Sequence, residues 1–384
     1  MRIRAFDIYR VSMPFAVPYK LSKVYGTLTH NQAVILRIET DGGVVGWGEA
    51  DPLPPFTEES PDGVRDVLHD LFGPGLMAME NVSVNGLHRM MDAAVDGSPL
   101  AKGAVDMAVH DALARELCVP VYDLLGGALH DGIPVLWPLG AGGFDEDVAV
   151  IEARRAEGFR SFMIKMGSLP VADEVARVAA LTERFHPDIT FIADANQGWS
   201  EDEALAFVEG VKDYPLSLLE QPVSRDDEAA LAKVTKVSAV PVSADESVFS
   251  LADAARLSAA GVVDVFSIKV SKNGGIAPGR RIAELAGAHG MQCLMNSMLE
   301  FGISQAASLQ LGATLGNLTD GGHAYMSTLR LADDFTSFSD LVRDGVAMVP
   351  DTPGLGITVD EVKVRELAMD HVRLGGTGNA EDAA

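Results

Sequence analysis

The feature of this sequence that most limits its fold is a strand-then-helix unit that recurs from about residue 133 onward. The predicted strands are 133–139, 161–166, 189–194, 216–220, 240–244, 263–270 and 291–295, with a weak eighth near 322–326. Helical patterns lie between them, for example at 171–184, 201–212, 251–260 and 279–289. Successive strand centres are about 25 to 30 residues apart, which is typical of a (β/α) barrel or a long doubly wound sheet. Eight units, and no G-x-G-x-x-G motif after the first strand, favour the barrel.

The first part of the chain follows a different pattern. Three short apolar runs predict an antiparallel meander, at 3–11, 32–39 and 44–49. Helical patterns come next, at 61–71, 84–95 and 100–117. After about residue 331 no strand–helix unit recurs, and turn signals such as Pro353-Gly354 indicate a tail that returns to the first module. An α+β module attached to a barrel is therefore expected.

The composition excludes several classes of protein. The 384-residue chain has 55 Asp and Glu against 30 Lys and Arg, a formal net charge of −25, which argues against nucleic-acid binding. Only Cys118 and Cys293 are present, so no disulfide framework is expected. The sequence shows neither a signal-peptide pattern at its start nor an apolar stretch of about 20 residues. We therefore expect a cytoplasmic protein that binds neither nucleic acid nor membranes.

The most informative residues are those that end the predicted strands. Five successive strands, the second to the sixth, end in a charged residue just past an apolar run: Lys165, Asp194, Glu220, Asp245 and Lys269. A single charged residue in such a place is usually a helix cap, a loop anchor or a solvated rim residue. Because the carboxyl ends of barrel strands meet at one mouth, where barrel enzymes hold their active sites, five in succession predict one shared site.

The chemistry of this set predicts a metal. Three neighbouring carboxylates repel one another and have raised pKa values unless a cation joins them, and oxygen ligands suit Mg²⁺ first and Mn²⁺ second. A metal held by Asp194, Glu220 and Asp245 would bind a substrate carboxylate and absorb charge as the α-proton leaves and an enediolate forms. A lysine on either side, with its pKa lowered by desolvation and the metal, would remove or return the proton.

Two further residues near the ligands are expected to support them without binding the metal. Asn196 follows Asp194 by two positions and so faces the same side of the strand. Glu246 follows Asp245, and of these two acidic residues Asp245 is the predicted ligand.

At this point the sequence resembles the enolase superfamily, and within it the muconate-lactonizing-enzyme subgroup of the mandelate racemase/muconate lactonizing enzyme family. The motifs that carry the resemblance cover nearly the whole chain: GWGE (46–49), AKGAVDMAVHDALAREL (101–117), LLGG (124–127), IKMG, ADANQGW, LLEQP, SADES, IKVSKNGG, MLE and PGLGI (353–357). The resemblance implies an α+β capping domain (1–130), a (β/α)7β TIM-type barrel (131–330) and a C-terminal segment (331–384) that completes the cap. It also implies Mg²⁺ on Asp194, Glu220 and Asp245, and acid/base roles for Lys165 and Lys269.

The sequence departs from the subgroup pattern at two places. The subgroup has a K-x-K pair on the second strand, and here Met163 replaces the first lysine, which removes a cation that would help to lower the pKa of Lys165. The eighth strand lacks the Asp-x-Asp pair of dipeptide epimerases and has GGHAYMST instead, which argues against a dipeptide substrate.

The substrate is expected to lie under a lid formed by two loops of the capping domain. The loops are 18–26 and 51–57, and Tyr19, Tyr25 and Phe56 would give them an aromatic inner face, unless these rings only pack the domains together. Such a face would suit a small carboxylate with an apolar or cationic distal group. The other predicted substrate contacts are Met163, Glu300 and His323, and the last two fit a structural role as well.

The leading functional hypothesis is racemisation or epimerisation of an amino-acid derivative, because two lysines face each other across the metal. A muconate-type cycloisomerase and an acid-sugar or hydroxy-acid dehydratase share the same intermediate and remain open. Two other classes are a metal-free lysine enzyme that forms a Schiff base and a barrel retained only for binding. We expect a homo-oligomer that acts on a small-molecule carboxylate.

Overall fold

The computed structural model describes residues 1–140 and 143–376. Its strands, in chain order, are β1 (Ile3–Lys20), β2 (Thr27–Thr40), β3 (Val45–Ala50), β4 (Gly132–Pro134), β5 (Leu136–Leu139), β6 (Ser161–Lys165), β7 (Thr190–Asp194), β8 (Leu216–Glu220), β9 (Val242–Ala244), β10 (Val265–Ile268), β11 (Gln292–Met295), β12 (Val342–Arg343), β13 (Val346–Met348) and β14 (Ala368–Gly375). The α-helices are α1 (Pro61–Val67), α2 (Gly73–Ala78), α3 (Val84–Ala94), α4 (Pro99–Glu116), α5 (Val121–Leu124), α6 (Phe144–Ala156), α7 (Val171–Phe185), α8 (Glu201–Val211), α9 (Glu228–Val237), α10 (Leu251–Ala260), α11 (Ile276–Ala288), α12 (Gly302–Gly312) and α13 (Glu361–Leu367). A turn of π-helix (Leu68–Phe72) joins α1 to α2, and 3₁₀ turns lie at Thr328–Arg330 and Phe338–Leu341.

The predicted barrel is confirmed. Strands β5 to β11 form one parallel sheet in chain order, and helices alternate with them along the chain. The strands are buried on both faces, as an internal parallel sheet requires, so they carry continuous apolar runs. This is an α/β fold with a TIM-like barrel and an antiparallel capping sheet.

The eighth strand is shorter than the sequence predicts. The backbone N–H of His323 donates to the carbonyl of Pro134 (2.8 Å), and that of Leu136 donates to the carbonyl of His323 (2.9 Å). On the other side the N–H of Ala324 donates to the carbonyl of Met295 (2.9 Å). Gly322 has a φ of +84°, which no strand adopts, so the segment closes the barrel through two residues.

The capping sheet has the order β14-β1-β2-β3 and is antiparallel throughout. Helix α4 packs directly on β3, and a Cβ at Gly46 or Gly48 would overlap the carbonyls of Ala108 or Ala104. The glycines of the GWGE motif are therefore needed for close packing of the helix on the sheet. The tail does return as predicted, because β14 pairs with β1, while β12 and β13 form a hairpin that pairs with β4.

Among the described residues no helix combines the length and the apolar character needed to cross a bilayer.

Asp106 of α4 fastens the capping domain to the barrel. Its buried Oδ1 accepts from the backbone N–H of Ile276 (2.6 Å) at the start of α11. His88 Nε2 lies 2.6 Å from the other carboxylate oxygen, and His110 Nδ1 lies 3.2 Å from Oδ1. Burial raises the pKa of Asp106, but the His110 and His88 contacts outweigh it and hold the pKa well below its usual range. Burial lowers the pKa of His110, and the Asp106 charge outweighs it, so the pKa is raised.

These opposite shifts predict a pH window for the stability of the domain interface. The raised pKa of His110 contributes stability below about pH 6.5 that is lost as pH rises through the folded-state pKa. The lowered pKa of Asp106 contributes stability above about pH 4 that is lost as pH falls through its folded-state pKa. We expect Asp106→Asn to lower the free energy of unfolding by about 2 kcal/mol near pH 5.5 and by less near pH 8.5. Thermal melts over this range measure it, with the exposed Asp96→Asn as control, and a pH-independent difference would contradict the charge pair.

Candidate active site

The five charged strand ends lie side by side at one mouth of the barrel. Lys165 pairs in register with Asp194, and Asp194 with Glu220, across β6, β7 and β8. Asp245 and Lys269 directly follow β9 and β10, the next two strands. All five side chains are buried, and even the two lysines are only 8% and 6% exposed. The structure therefore brings together the residues that the sequence pattern singled out.

The two lysines pair with carboxylates at opposite ends of this row. Lys165 Nζ donates to Asp194 Oδ2, and Lys269 Nζ donates to Asp245 Oδ2 at 2.6 Å. A third lysine, Lys272, is completely buried, and its Nζ donates to Asp245 Oδ1 at 2.9 Å and to the carbonyls of Asp245 and Ser267. Three cations thus hold two of the three carboxylates.

Glu220, in the middle of the row, is different. Its Oε1 accepts from Ser267 Oγ and from Asn296 Nδ2 (2.7 Å). Its Oε2 is buried and has no hydrogen-bond partner among the described residues. Burial, followed by the charges of Asp194 and Asp245, raises the pKa of Glu220 well above its usual range. A buried carboxylate oxygen without a partner is costly unless a cation binds it.

The donor set at this mouth fits a hard divalent cation. It consists of carboxylate oxygens on three adjacent strands, which are the ligands that Mg²⁺ prefers. As the side chains stand, no three His, Cys, Asp or Glu side chains within residues 1–140 and 143–376 share a ligating arrangement. In this arrangement Asp194 pairs with Lys165 and Asp245 pairs with Lys269.

Sequence reasoning missed four residues of this site. Lys272 belongs to the IKVSKNGG motif, and its spacing of three from Lys269 is the sequence signal that indicates it. Ser267 and Asn296 bind Glu220, and Gln221 Oε1 accepts from the backbone N–H of Asp245 (3.0 Å). These polar residues lie on strands or directly after them, where a sequence gives no indication of their partners.

The pKa values of the two lysines differ from the expectation of a shift toward neutrality. Burial lowers the pKa of Lys165, but the charge of Asp194, with those of Tyr19 and Glu220, outweighs it and the pKa is raised. Burial likewise lowers the pKa of Lys269, and Asp245, Glu220 and Glu246 outweigh it. Burial alone therefore does not lower the pKa of either lysine. A cation bound to the carboxylates would be needed to offset the effect of the carboxylate charges on these pKa values.

Asn196 and Glu246 connect the carboxylate row to the lid. The backbone N–H of Asn196 donates to Asp194 Oδ1 (2.9 Å), and its Oδ1 is buried without a partner among the described residues. Glu246 Oε1 accepts from the hydroxyl of Tyr25 (3.0 Å), which in turn accepts from Gln197 Nε2 (2.7 Å). Burial, with the charges of Asp245 and Asp194, raises the pKa of Glu246 to about 8.

The predicted lid residues line the cavity in front of the lysines. Tyr19, Tyr25, Phe56 and Met163 border it together with Lys165, Asn196 and Lys269. Lys269 Nζ lies 4.3 Å from the centre of the Phe56 ring, a cation–π contact. The cavity measures about 50 Å³, room for a few water molecules, so a substrate requires the lid loops to move.

Glu300 and His323 do not line this cavity as the structure describes it. Glu300 accepts hydrogen bonds from Ser297 Oγ (2.6 Å) and Gln305 Nε2 (3.0 Å). His323 Nδ1 accepts from the backbone N–H of Met295 (2.9 Å), and burial lowers the pKa of His323 to about 4, which keeps it neutral. These contacts fit the structural alternative, and a substrate contact by either residue stays a prediction.

Two family profiles match most of the chain. The mandelate racemase/muconate lactonizing enzyme N-terminal domain matches residues 4–126, and the enolase C-terminal domain-like family matches residues 146–363.

Individual proteins with different activities are similar over nearly the full length. The chloromuconate cycloisomerase of Pseudomonas putida is 32% identical over 371 residues, 95% of this chain and 98% of that protein. The L-Ala-D/L-Glu epimerase of Bacillus subtilis is 31% identical over 359 residues, 93% of this chain and 97% of that protein. The crystal structure of the N-succinyl Arg/Lys racemase from Bacillus cereus superposes with a TM-score of 0.92 at 28% identity, covering 97% of this chain and 100% of that one.

Proposed function

Because the chain belongs to the mandelate racemase/muconate lactonizing enzyme family of the enolase superfamily, we propose that it abstracts the α-proton of a small carboxylate and returns it on the opposite face. The substrate would be an amino acid whose amine is blocked, and the reaction racemisation or epimerisation. Enzymes of this family are typically dependent on a divalent metal. The similar proteins are isomerases with different reactions, which supports an isomerase of this family.

One observation carries the proposal: two buried lysines border the same cavity from opposite ends of a row of carboxylates. Abstraction of the α-proton needs a base on one face of the substrate, and racemisation by two groups also needs an acid on the opposite face to return a proton. Lys165 and Lys269 would take these two roles. Met163 beside Lys165 is apolar, and among the described residues that line the cavity the cations are Lys165 and Lys269.

Mg²⁺, with Mn²⁺ as substitute, would be held by Asp194, Glu220 and Asp245 and would stabilise negative charge on the substrate carboxylate. The unpartnered Oε2 of Glu220 supports this assignment. Lys272 would keep Asp245 in place, since its three donors are all directed at Asp245 and Ser267. The aromatic rings of Tyr25 and Phe56 would exclude water while the proton moves.

A second candidate is cycloisomerisation of a muconate-like diacid. The similarity to chloromuconate cycloisomerase, 32% identity over 371 residues, favours it. The departures from the subgroup pattern at Met163 and at the eighth strand do not distinguish racemisation from cycloisomerisation. Loss of the conjugated-diene absorbance of muconate on addition of enzyme and Mg²⁺ would identify this reaction.

The test of the leading proposal is isotope exchange. N-acylated amino acids of either hand are incubated in D₂O with Mg²⁺, and α-deuterium uptake is followed by NMR together with loss of optical rotation. We expect exchange with both enantiomers, abolished by a chelator and restored by Mg²⁺. No α-exchange with any amine-blocked amino acid, or exchange insensitive to the chelator, would contradict the proposal.

A further inference from the structure

Two buried acids lie at the end of β3, where the capping domain meets the barrel. Glu49 and Asp51 are 0% and 1% exposed. The two carboxylate oxygens of Glu49 accept from the backbone N–H groups of Phe301 (2.6 Å) and Ser304 (2.8 Å) at the start of α12. Asp51 Oδ2 accepts from the hydroxyl of Ser304 (3.0 Å). Two carboxyl groups of the capping domain therefore meet at one residue of the barrel.

The charged neighbours that act most strongly on this pair are acidic. Asp51 acts on Glu49, and the buried Glu300 acts on Asp51. The other oxygen of Asp51, Oδ1, is buried and has no hydrogen-bond partner among the described residues. Two adjacent carboxylates in such a place repel each other and lose their hydration. One proton between them would remove a charge and would supply a donor, because an ionised carboxylate only accepts hydrogen bonds.

The titratable groups on the surrounding elements are bound to other partners. On helix α4, which packs on β3, the buried Asp106 and His110 pair with each other, and Asp111 pairs with an arginine of the same helix. After β10, Lys269 and Lys272 both donate to the carboxylate row. Strand β2 pairs an isoleucine with Glu49, and α12 carries no titratable side chain. The pair is thus left with Glu300 as its charged neighbour.

Asp51 is also the first residue of the lid loop 51–57. Its backbone N–H donates to Ser271 Oγ (3.2 Å) on the barrel. Within the loop, the N–H of Leu53 donates to Thr57 Oγ1 (2.9 Å), and the N–H of Thr57 donates to the carbonyl of Leu53 (3.1 Å). Leu53 and Phe56 line the active-site cavity. A loop with its own internal hydrogen bonds is therefore fixed at its base by Asp51 and covers the cavity with its apolar side chains.

We propose that Glu49 and Asp51 share one proton, that this proton holds the base of the lid loop 51–57 against the barrel, and that its loss to solvent releases the loop. Without the proton, two buried negative charges lie side by side next to Glu300. Glu49 is held by two backbone N–H groups of α12, so the repulsion displaces Asp51 and the loop that follows it. The inference concerns the opening of the lid and holds for any reaction at the site beneath it.

The direction of the pH dependence follows from the burial of the pair. Burial and the charge of Asp51 raise the pKa of Glu49 well above its usual range, and burial raises the pKa of Asp51 to about 7. Because the folded-state pKa values exceed the unfolded ones, the shared proton contributes stability that is complete below about pH 4 and is lost as the pH rises through the folded-state values. The loop is therefore held at acidic pH and released at alkaline pH.

Methyl NMR of the full-length protein in Mg²⁺ tests the release. The relaxation of the Leu53 methyl groups by a neutral paramagnetic compound is compared at about pH 5.5 and about pH 8.5, with the buried Leu257 as reference, and we expect it to rise roughly twofold or more in the wild type. Asp51→Asn carries an N–H donor that does not titrate, so the relaxation should stay low at both pH values. Asp51→Ala has no donor and should give the high value at both. A wild type without the rise, or an equal rise in Asp51→Asn, would overturn the proposal.

Infrared spectroscopy detects the shared proton itself. At about pH 5.5 the wild type should show a carbonyl band of a protonated carboxylic acid that Asp51→Asn lacks. The exposed Asp351→Asn is the control and should keep the band. A spectrum in which Asp51→Asn loses no such band would refute the shared proton even if the loop moves with pH. Neither measurement needs a substrate, so the result is independent of whether α-exchange is observed.

Discussion

Replacing either active-site lysine with methionine should lower the racemisation rate by about a thousandfold, while each variant keeps α-proton exchange for one enantiomer. The reason is geometric: Lys165 and Lys269 lie at opposite ends of the carboxylate row and line the same cavity. If each lysine serves one face of the substrate, Lys165→Met removes exchange from one hand and Lys269→Met from the other. Exchange of the two purified enantiomers in D₂O, measured separately for each variant, gives the result.

Folding of these variants has to be checked, because Lys165→Met leaves the buried Asp194 without its cation and Lys269→Met leaves Asp245 with Lys272 alone. Circular dichroism and melting in saturating Mg²⁺ serve this purpose, and the exposed Lys233→Met is a control that should retain full activity. Loss of exchange from both hands in both folded variants would assign the two lysines to one step and contradict opposed bases. Racemisation at the wild-type rate in Lys269→Met would remove Lys269 from the mechanism.

The barrel could be predicted from the sequence because its signals are local. Each strand is an apolar run followed by a helix, and the charged residue that ends it marks the mouth. Strand β8 begins and ends where the pattern placed it, at Leu216 and Glu220. The eighth strand was less predictable, because pairing through His323 depends on where Pro134 and Met295 lie rather than on its own sequence.

The contacts that tune the site could not be predicted, because they join residues far apart in the chain. Tyr25 and Glu246, which are hydrogen-bonded, are 221 positions apart in the sequence, and Asp106 and Ile276 are 170 positions apart. The raised pKa values of the lysines are a further case, since desolvation could be anticipated from burial but the competing carboxylate charges depend on side-chain distances.

Glu220→Gln should stabilise the metal-free protein and at the same time remove its stabilisation by Mg²⁺. Burial and the charges of Asp194 and Asp245 raise the pKa of Glu220 well above its unfolded value, so its charge costs stability at neutral pH. Glutamine resembles the protonated acid, and we expect the free energy of unfolding in chelator to rise by about 1–3 kcal/mol. In the wild type, Mg²⁺ at 100 times its Kd should add about 2.7 kcal/mol, and in the variant close to nothing. Melting curves with chelator and with Mg²⁺ measure both effects.

A second buried glutamate separates this behaviour from a general effect of removing charge. Glu174 is equally buried, but its oxygens accept from the backbone N–H groups of Ser168 and Leu169 and from Trp199 Nε1. Burial raises the pKa of Glu174 as well, against the effect of these hydrogen bonds. Glu174→Gln therefore removes a buried charge outside the carboxylate row and should leave the Mg²⁺ increment intact. A Mg²⁺ increment lost in Glu220→Gln and kept in Glu174→Gln would place the ion at the Glu220 Oε2, which has no hydrogen-bond partner among the described residues. If Glu220→Gln kept the full Mg²⁺ increment, the ion would bind elsewhere, and the carboxylate row would not be the metal site.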